Sequence, residues 1–192
     1  MNRIEESIAQ SIEVKNQILK DESFQKRIAE AASLMVQCLK NGGKVHFCGN
    51  GGSAADAQHL AAELSGRFYY DRPPLNAEAL HCNTSYVTAV GNDYGYEQIY
   101  ARMIQGTAKL GDVLVGISTS GNSLNVVKAY EVCQKMDVKI VSLTGESGGK
   151  MKDFSDILLN VPSTDTPRIQ ESHIMIGHII CELIESQMFP KE

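Results

Sequence analysis

Two near-continuous apolar runs, residues 112–118 (DVLVGIS) and 138–144 (VKIVSLT), stand either side of a helical stretch at 124–136. A strand that is apolar at nearly every position has to be covered on both faces. That is the mark of a parallel sheet sandwiched between helices, not of an antiparallel sheet with one wet face. Weaker runs at 44–48, 77–81 and 157–161 extend the pattern. Helix-period segments fill the intervals at 54–65, 84–90, 96–108 and 168–188, and no two strands are joined by a hairpin-length turn. The expected fold is therefore α/β: a doubly wound, mainly parallel five-stranded sheet flanked by helices. In such sheets ligands bind beyond the carboxyl ends of the strands. Two polar loops, 49–53 and 118–123, fall at such ends, and the remaining loops are placed at 91–95 and 145–149.

Two helical patterns precede the first strand. Ile4, Ile8, Ile12, Ile18 and Leu19 form one apolar stripe, and Phe24, Ile28, Ala31, Ala32, Met35 and Leu39 form the next. Asp21 is placed to cap the second helix, and Asn41-Gly42-Gly43 stops it. Residues 1–40 thus read as a helical hairpin on a single domain spanning 1–192. Its apolar faces suit either an oligomer contact or a cap on the domain's own sheet.

A formal net charge of −5, with no local cluster of Lys and Arg, excludes general nucleic-acid binding. The five cysteines are odd in number, form no C-x-x-C pair and sit mostly in apolar runs, which fits a reducing compartment. The first residues, MNRIEESIAQ, lack the apolar core of a signal peptide, and no apolar run approaches the ~20 residues of a membrane span. The expected location is cytoplasmic, with no membrane or nucleic-acid partner.

Chemistry concentrates in a few places. Asn50-Gly51-Gly52-Ser53 joins a strand to a helix start, where glycines admit close approach of a ligand and free N–H groups favour an anion. It matches neither a Walker motif nor a dinucleotide fingerprint, and a purely structural turn is the competing reading. Ser118-Thr119-Ser120-Gly121-Asn122-Ser123 puts four hydroxyls in six residues between a buried strand and a helix. A simple capped turn does not need so many, so a phosphate cradle without cationic residues is the better reading. His59 and Glu63 share one helix face, one turn apart. Gln170 and His178 lie eight apart on the last helix, about 80° apart around its axis. Two His and one Glu suit zinc. Glu63 and His178 suit an acid/base pair without any metal equally well. His46, His81 and His173 have no partner in sequence and are read as structural.

Taken together, CGNGGSAADAQHLAAELSGR, GNDYGYEQIYAR, GDVLVGISTSGNS, SLTGESGGKM and RIQESHIMIGHIICELIE resemble the phosphoheptose isomerase (sedoheptulose 7-phosphate isomerase) family of the sugar isomerase (SIS) fold, over nearly the whole chain. The resemblance implies an aldose–ketose isomerase that converts sedoheptulose 7-phosphate into D-glycero-D-manno-heptose 7-phosphate through an enediol(ate). It implies a place at the start of activated-heptose biosynthesis for lipopolysaccharide core, capsule or surface layers. It also implies a cytoplasmic homotetramer with active sites between subunits and one zinc per subunit. By matching motif, His59, Glu63, Gln170 and His178 would be the zinc ligands. Asn50, Gly51, Gly52, Ser53, Glu63, Asn92, Asp93, Ser118, Thr119, Ser120, Ser123 and Gln170 would contact substrate, with 118–123 holding the phosphate. Glu63 would carry the carbon-bound proton and His178 would serve the oxygens. A related, non-catalytic group of the same fold that binds the bacterial replication initiator is similar in the CGNG turn and the RIQE helix. It lacks the residues matching Glu63 and His178, both of which are present here.

Overall fold

The computed structural model describes residues 2–191. The chain runs α1 (Arg3–Lys20), α2 (Glu22–Lys40), β1 (Val45–Gly49), α3 (Gly52–Ser65), β2 (Ala77–Ala79), α4 (Thr84–Tyr94), α5 (Ile99–Thr107), β3 (Val113–Ser118), α6 (Leu124–Met136), β4 (Lys139–Thr144), β5 (Ile157–Asn160) and α7 (Thr166–Met188). Short 3-10 turns occupy Tyr96–Gln98 and Gly149–Asp153. The five strands form one sheet in the order β2-β1-β3-β4-β5, and every pairing is parallel, not only most of them.

Side-chain alternation divides the core into two layers. Val113, Val115 and Ile117 of β3 and Val141 and Leu143 of β4 point to one face, where they meet α2, α3 and α7 through Phe24, Met35, Leu60, Leu64, Ile176 and Ile180. Leu114 and Ile140 point to the other face, against Ile104, Val126, Tyr130 and Met151. Because side chains alternate with a period of two, a strand apolar at nearly every position supplies both layers. Gly116 is needed on the second face because a Cβ there would lie 2.1 Å from the Tyr130 hydroxyl. That hydroxyl is tied to Ser142 Oγ at 2.7 Å, which closes the buried polar contact.

Local signals set most boundaries. Asp21 Oδ1 accepts the Phe24 N–H at 2.9 Å and caps α2 as expected. The 91–95 loop requires correction. Asn83 caps α4 through the Tyr86 N–H, and the helix passes through Gly91, Asn92 and Asp93 to stop at Gly95, whose φ is 90°. Gly91 is compatible with helix at a cost of about 1 kcal/mol, whereas Gly95 adopts a conformation that only glycine takes easily. Helix α7 begins at Thr166, earlier than the break at 163–167 suggests, because Pro167 sits in the first turn, where a missing N–H does no harm.

The α1 stripe also divides differently from the expected one. Val14 and Ile18 are buried, while Ile4, Ile8, Ile12 and Leu19 are between 54% and 72% exposed within this chain. Full burial of such a side chain stabilises by roughly 1.5–3 kcal/mol, and α1 leaves that unused along most of its length. Among the described residues no helix is long and apolar enough to cross a membrane.

Candidate active site

The turn after β1 is built by its glycines and by Asn50. Gly51 has φ 56° and ψ −123° and starts α3 with no side-chain cap. A Cβ on Gly49 would lie 2.5 Å from Ser53 O, so the chain can double back only with glycine there. Asn50 is locked by a reciprocal amide pair with buried Asn125. Asn50 Nδ2 donates to Asn125 Oδ1 at 2.9 Å, and Asn125 Nδ2 donates to Asn50 Oδ1 at 2.8 Å. The Tyr96 hydroxyl also donates to Asn50 Oδ1, at 3.1 Å. Asn125 and Tyr96 are site residues that sequence reading missed.

The hydroxyl loop after β3 converges as expected. Ser118 Oγ is 2.9 Å from Ser123 Oγ and 3.4 Å from Ser120 Oγ. Ser123 starts α6, but its hydroxyl makes no cap bond and faces Ser118 instead. Gly121, at φ 64°, passes the 145–149 loop so closely that a Cβ would lie 2.2 Å from Gly148 O. Thr119 and Ser120 line a cavity of about 460 Å³ with Gly145, Glu146, Ser147, Ser163, Thr164, Thr166 and Ile169. No Lys or Arg is among these lining residues, so an anion there would be held by hydroxyls, N–H groups and the start of the 23-residue helix α7.

Across the turn, α3 and α7 bring three titratable side chains together. His59 Nε2 lies 2.9 Å from His178 Nε2 and 3.3 Å from Glu63 Oε1. Among the described residues this is the one group of His, Cys, Asp or Glu side chains arranged to hold a metal ion, with all three ligand atoms within 4.8 Å of one another. The donor set fits zinc. Two imidazole nitrogens facing each other cannot both carry protons without repulsion, and tetrahedral bonds of 2.0–2.1 Å would separate ligand atoms by about 3.3 Å. Asp56, one turn before His59, was not singled out from the sequence. Burial pushes its carboxyl above the ordinary range, partly offset by His59 and His178.

Gln170 lies on the same helix as His178, near its start. Its side chain packs on the glycine turn, where a Cβ on Gly52 would meet Gln170 Nε2 at 2.8 Å. It stands eight residues before His178, about 12 Å along α7. Ser53 is buried in the first turn of α3. Asn92 and Asp93 are exposed at the end of α4, where Asn92 Nδ2 donates to Asp93 Oδ1 at 2.8 Å. Two of the histidines set aside are structural. His46 is buried against Asp112 Oδ2 at 3.2 Å, and His173 Nε2 bonds to Thr144 O at 3.0 Å. Burial lowers the pKa of His173 to about 4, partly offset by that bond, and burial also lowers that of His46, partly offset by Asp112.

The sheet is wholly parallel and carries a hydroxyl loop at one strand end, and the SIS domain model matches residues 8–145. Two full-length relatives refine this. The chain is 52% identical over 183 residues to phosphoheptose isomerase 2 of Campylobacter jejuni, covering 95% of this chain and 91% of that one. It is 51% identical over 186 residues to the phosphoheptose isomerase of Aneurinibacillus thermoaerophilus, covering 97% and 94%. The solved phosphoheptose isomerase of Neisseria gonorrhoeae superposes with a TM-score of 0.90 at 45% identity, covering 96% and 97%. The chain belongs to the phosphoheptose isomerase family, and it is an isomerase. These matches do not favour the initiator-binding reading.

Proposed function

We propose that the protein interconverts sedoheptulose 7-phosphate and D-glycero-D-manno-heptose 7-phosphate, with Glu63 and His178 as its proton carriers. The single observation that carries this is the convergence of His59, Glu63 and His178 between α3 and α7. The relatives' shared name supports the substrate class.

The 118–123 loop holds the phosphate and leaves the carbonyl end of the sugar toward α3. The Glu63 carboxylate takes the proton from the hydroxyl-bearing terminal carbon, and the electrons of that bond form the double bond of an enediol(ate). The same carboxylate returns the proton to the neighbouring carbon, which had been the ketone. His178 passes the hydroxyl proton between the two oxygens, so the terminal carbon ends as the aldehyde. His59, within 3.3 Å of both partners, fixes their orientation. Glu63 is about one-quarter exposed and accessible to a ligand. His59, Glu63 and His178 would hold a zinc ion, with Gln170 as the fourth family-implied ligand. Bound zinc would polarise the carbonyl and stabilise negative charge on its oxygen.

The functional unit in this reading is a cytoplasmic homotetramer with one zinc per subunit. Two observations support an assembly. The α1 isoleucines are exposed. A groove of about 500 Å³ runs between α1, α2 and α7, lined by Ile18, Leu19, Ile28, Met175, Ile179 and Leu183. The five cysteines are all free, as a reducing compartment requires.

The test is product formation. Purified, zinc-supplemented protein incubated with sedoheptulose 7-phosphate should give the heptose 7-phosphate by NMR, and shorter ketose phosphates should turn over poorly. No turnover of the seven-carbon substrate, alongside binding to the replication initiator, would overturn the reading. Mass photometry should give four chains per particle, and a monomer would contradict the assembly.

A further inference from the structure

The link between α3 and β2 reads in sequence as a polar, proline-bearing connection, yet it carries one of the most deeply buried ion pairs of the molecule. The side chains of Arg72 and Glu185 are 2% and 1% exposed, with Nε 3.0 Å from Oε1. A buried pair of this kind is weak evidence for stability, because desolvation offsets most of the attraction. What distinguishes it is where the remaining donors and acceptors go.

Arg72 spends its guanidinium on the end of α3. Nη2 donates to Glu63 O at 2.7 Å, and Nη1 donates to Leu64 O at 2.7 Å and to Gly66 O at 3.0 Å. The last carbonyls of a helix have no partner within it, and a cation there also meets the negative end of the helix dipole. Arg72 therefore caps the last turn of α3, including the carbonyl of Glu63. Glu185 grips the other side. Its carboxylate accepts the Phe68 N–H at 3.0 Å and the Tyr69 N–H at 2.8 Å. The Phe68 ring in turn lies 5.7 Å from the His178 ring. Glu185 is seven residues past His178, within about 20° of the same face of α7 and roughly 10 Å further along it. One ion pair is thus bonded to the backbone of Glu63, to the peptide that carries the aromatic wall of His178, and to the helix that carries His178 itself.

We infer that Arg72, acting with Glu185, is a positioning residue that sets the separation of Glu63 and His178. It touches neither substrate nor reacting atoms. Its effect is to fix the end of α3 against α7, about 10 Å along α7 from His178. The inference rests on the isomerase reading of that pair. Cys181, one turn past His178 on the way to Glu185, is 1% exposed. A displacement at the strut is therefore transmitted through packed side chains.

The experiment compares wild type, Arg72→Lys and the double variant Arg72→Met with Glu185→Leu. Lysine keeps the charge but cannot bond Glu185 and two α3 carbonyls in one plane. The double variant removes both charges and keeps the volume, so the fold survives without the strut. Wild-type turnover tests the isomerase reading separately. Given that turnover, both variants should retain a cooperative thermal transition while kcat falls about 100-fold, the cost of a displacement near 1 Å. KM should stay within about threefold, because the phosphate loop lies on other elements. Zinc affinity by competition titration should fall at least tenfold. Wild-type kcat and zinc affinity in folded Arg72→Lys would overturn the inference, as would a rise in KM with kcat intact.

Discussion

His178 Nε2 stands 2.9 Å from His59 Nε2, although 119 residues separate the two in the chain. That contact joins α7 to α3 and completes the group with Glu63. Neither imidazole is buried enough to make the contact a packing necessity, as the His59 side chain is 48% exposed. Two imidazole nitrogens this close, beside a carboxylate oxygen, suit a shared cation better than one isolated hydrogen bond.

Metal binding should follow that group. The metal-free protein is expected to take up one zinc per chain by isothermal titration. His59→Ala and His178→Ala should each weaken binding by about 100-fold or more, since even partners outside the ligand shell contribute tenfold or more. Uptake of equal affinity in both variants would place zinc elsewhere.

The hydroxyl cradle should act on affinity. Ser118→Ala, Ser120→Ala and Ser123→Ala each delete one hydrogen bond to a charged oxygen, worth about 1.5–3 kcal/mol. Each should raise KM by about tenfold or more with little change in kcat. Ser118 and Ser123 share a contact at 2.9 Å, so their effects should not add. Unchanged KM across all three would remove the phosphate from this loop.

Stability should fall on mild acidification because of His173. Its pKa drops from the ordinary 6.5 to about 4 on burial. Above pH 6.5 both folded and unfolded imidazoles are neutral. Between pH 6.5 and 4 the unfolded chain binds a proton that the folded chain refuses, so stability declines as pH falls, by on the order of 3 kcal/mol in all. His46 acts in the same direction. Urea unfolding of the metal-free protein at pH 7 and pH 5 should show a smaller loss for His173→Gln than for wild type. Equal losses would show that His173 does not titrate this way.

The parts legible in the sequence were those governed by neighbours in the chain. The both-faces-buried character of β3 and β4, the Asp21 cap and the pairing of His59 with Glu63 are all local. The end of α4 was misread because Gly91, Asn92 and Asp93 are turn formers by propensity, while Asn83 and Gly95 set the true limits. The α1 stripe was read correctly as apolar, but Ile4, Ile8 and Ile12 are not covered by their own chain's core. Within the site, the hydroxyl loop was clear because four hydroxyls exceed what a turn needs. Asn125, Arg72 and Glu185 were not visible. A lone Asn in a helix, an Arg in a loop and a Glu near a helix end each have an ordinary solvent-exposed reading, and only the fold shows all three to be buried.

The central claim is that Glu63 moves the carbon-bound proton of a ketose phosphate. It is tested most directly by following sedoheptulose 7-phosphate by NMR with wild type and with Glu63→Gln, each folded and supplied with zinc. The glutamine keeps the size and cannot accept the proton. Wild type should form the heptose 7-phosphate, and Glu63→Gln should be slower by about 10³-fold or more while still binding the sugar phosphate. Turnover by Glu63→Gln within a few-fold of wild type would contradict the account.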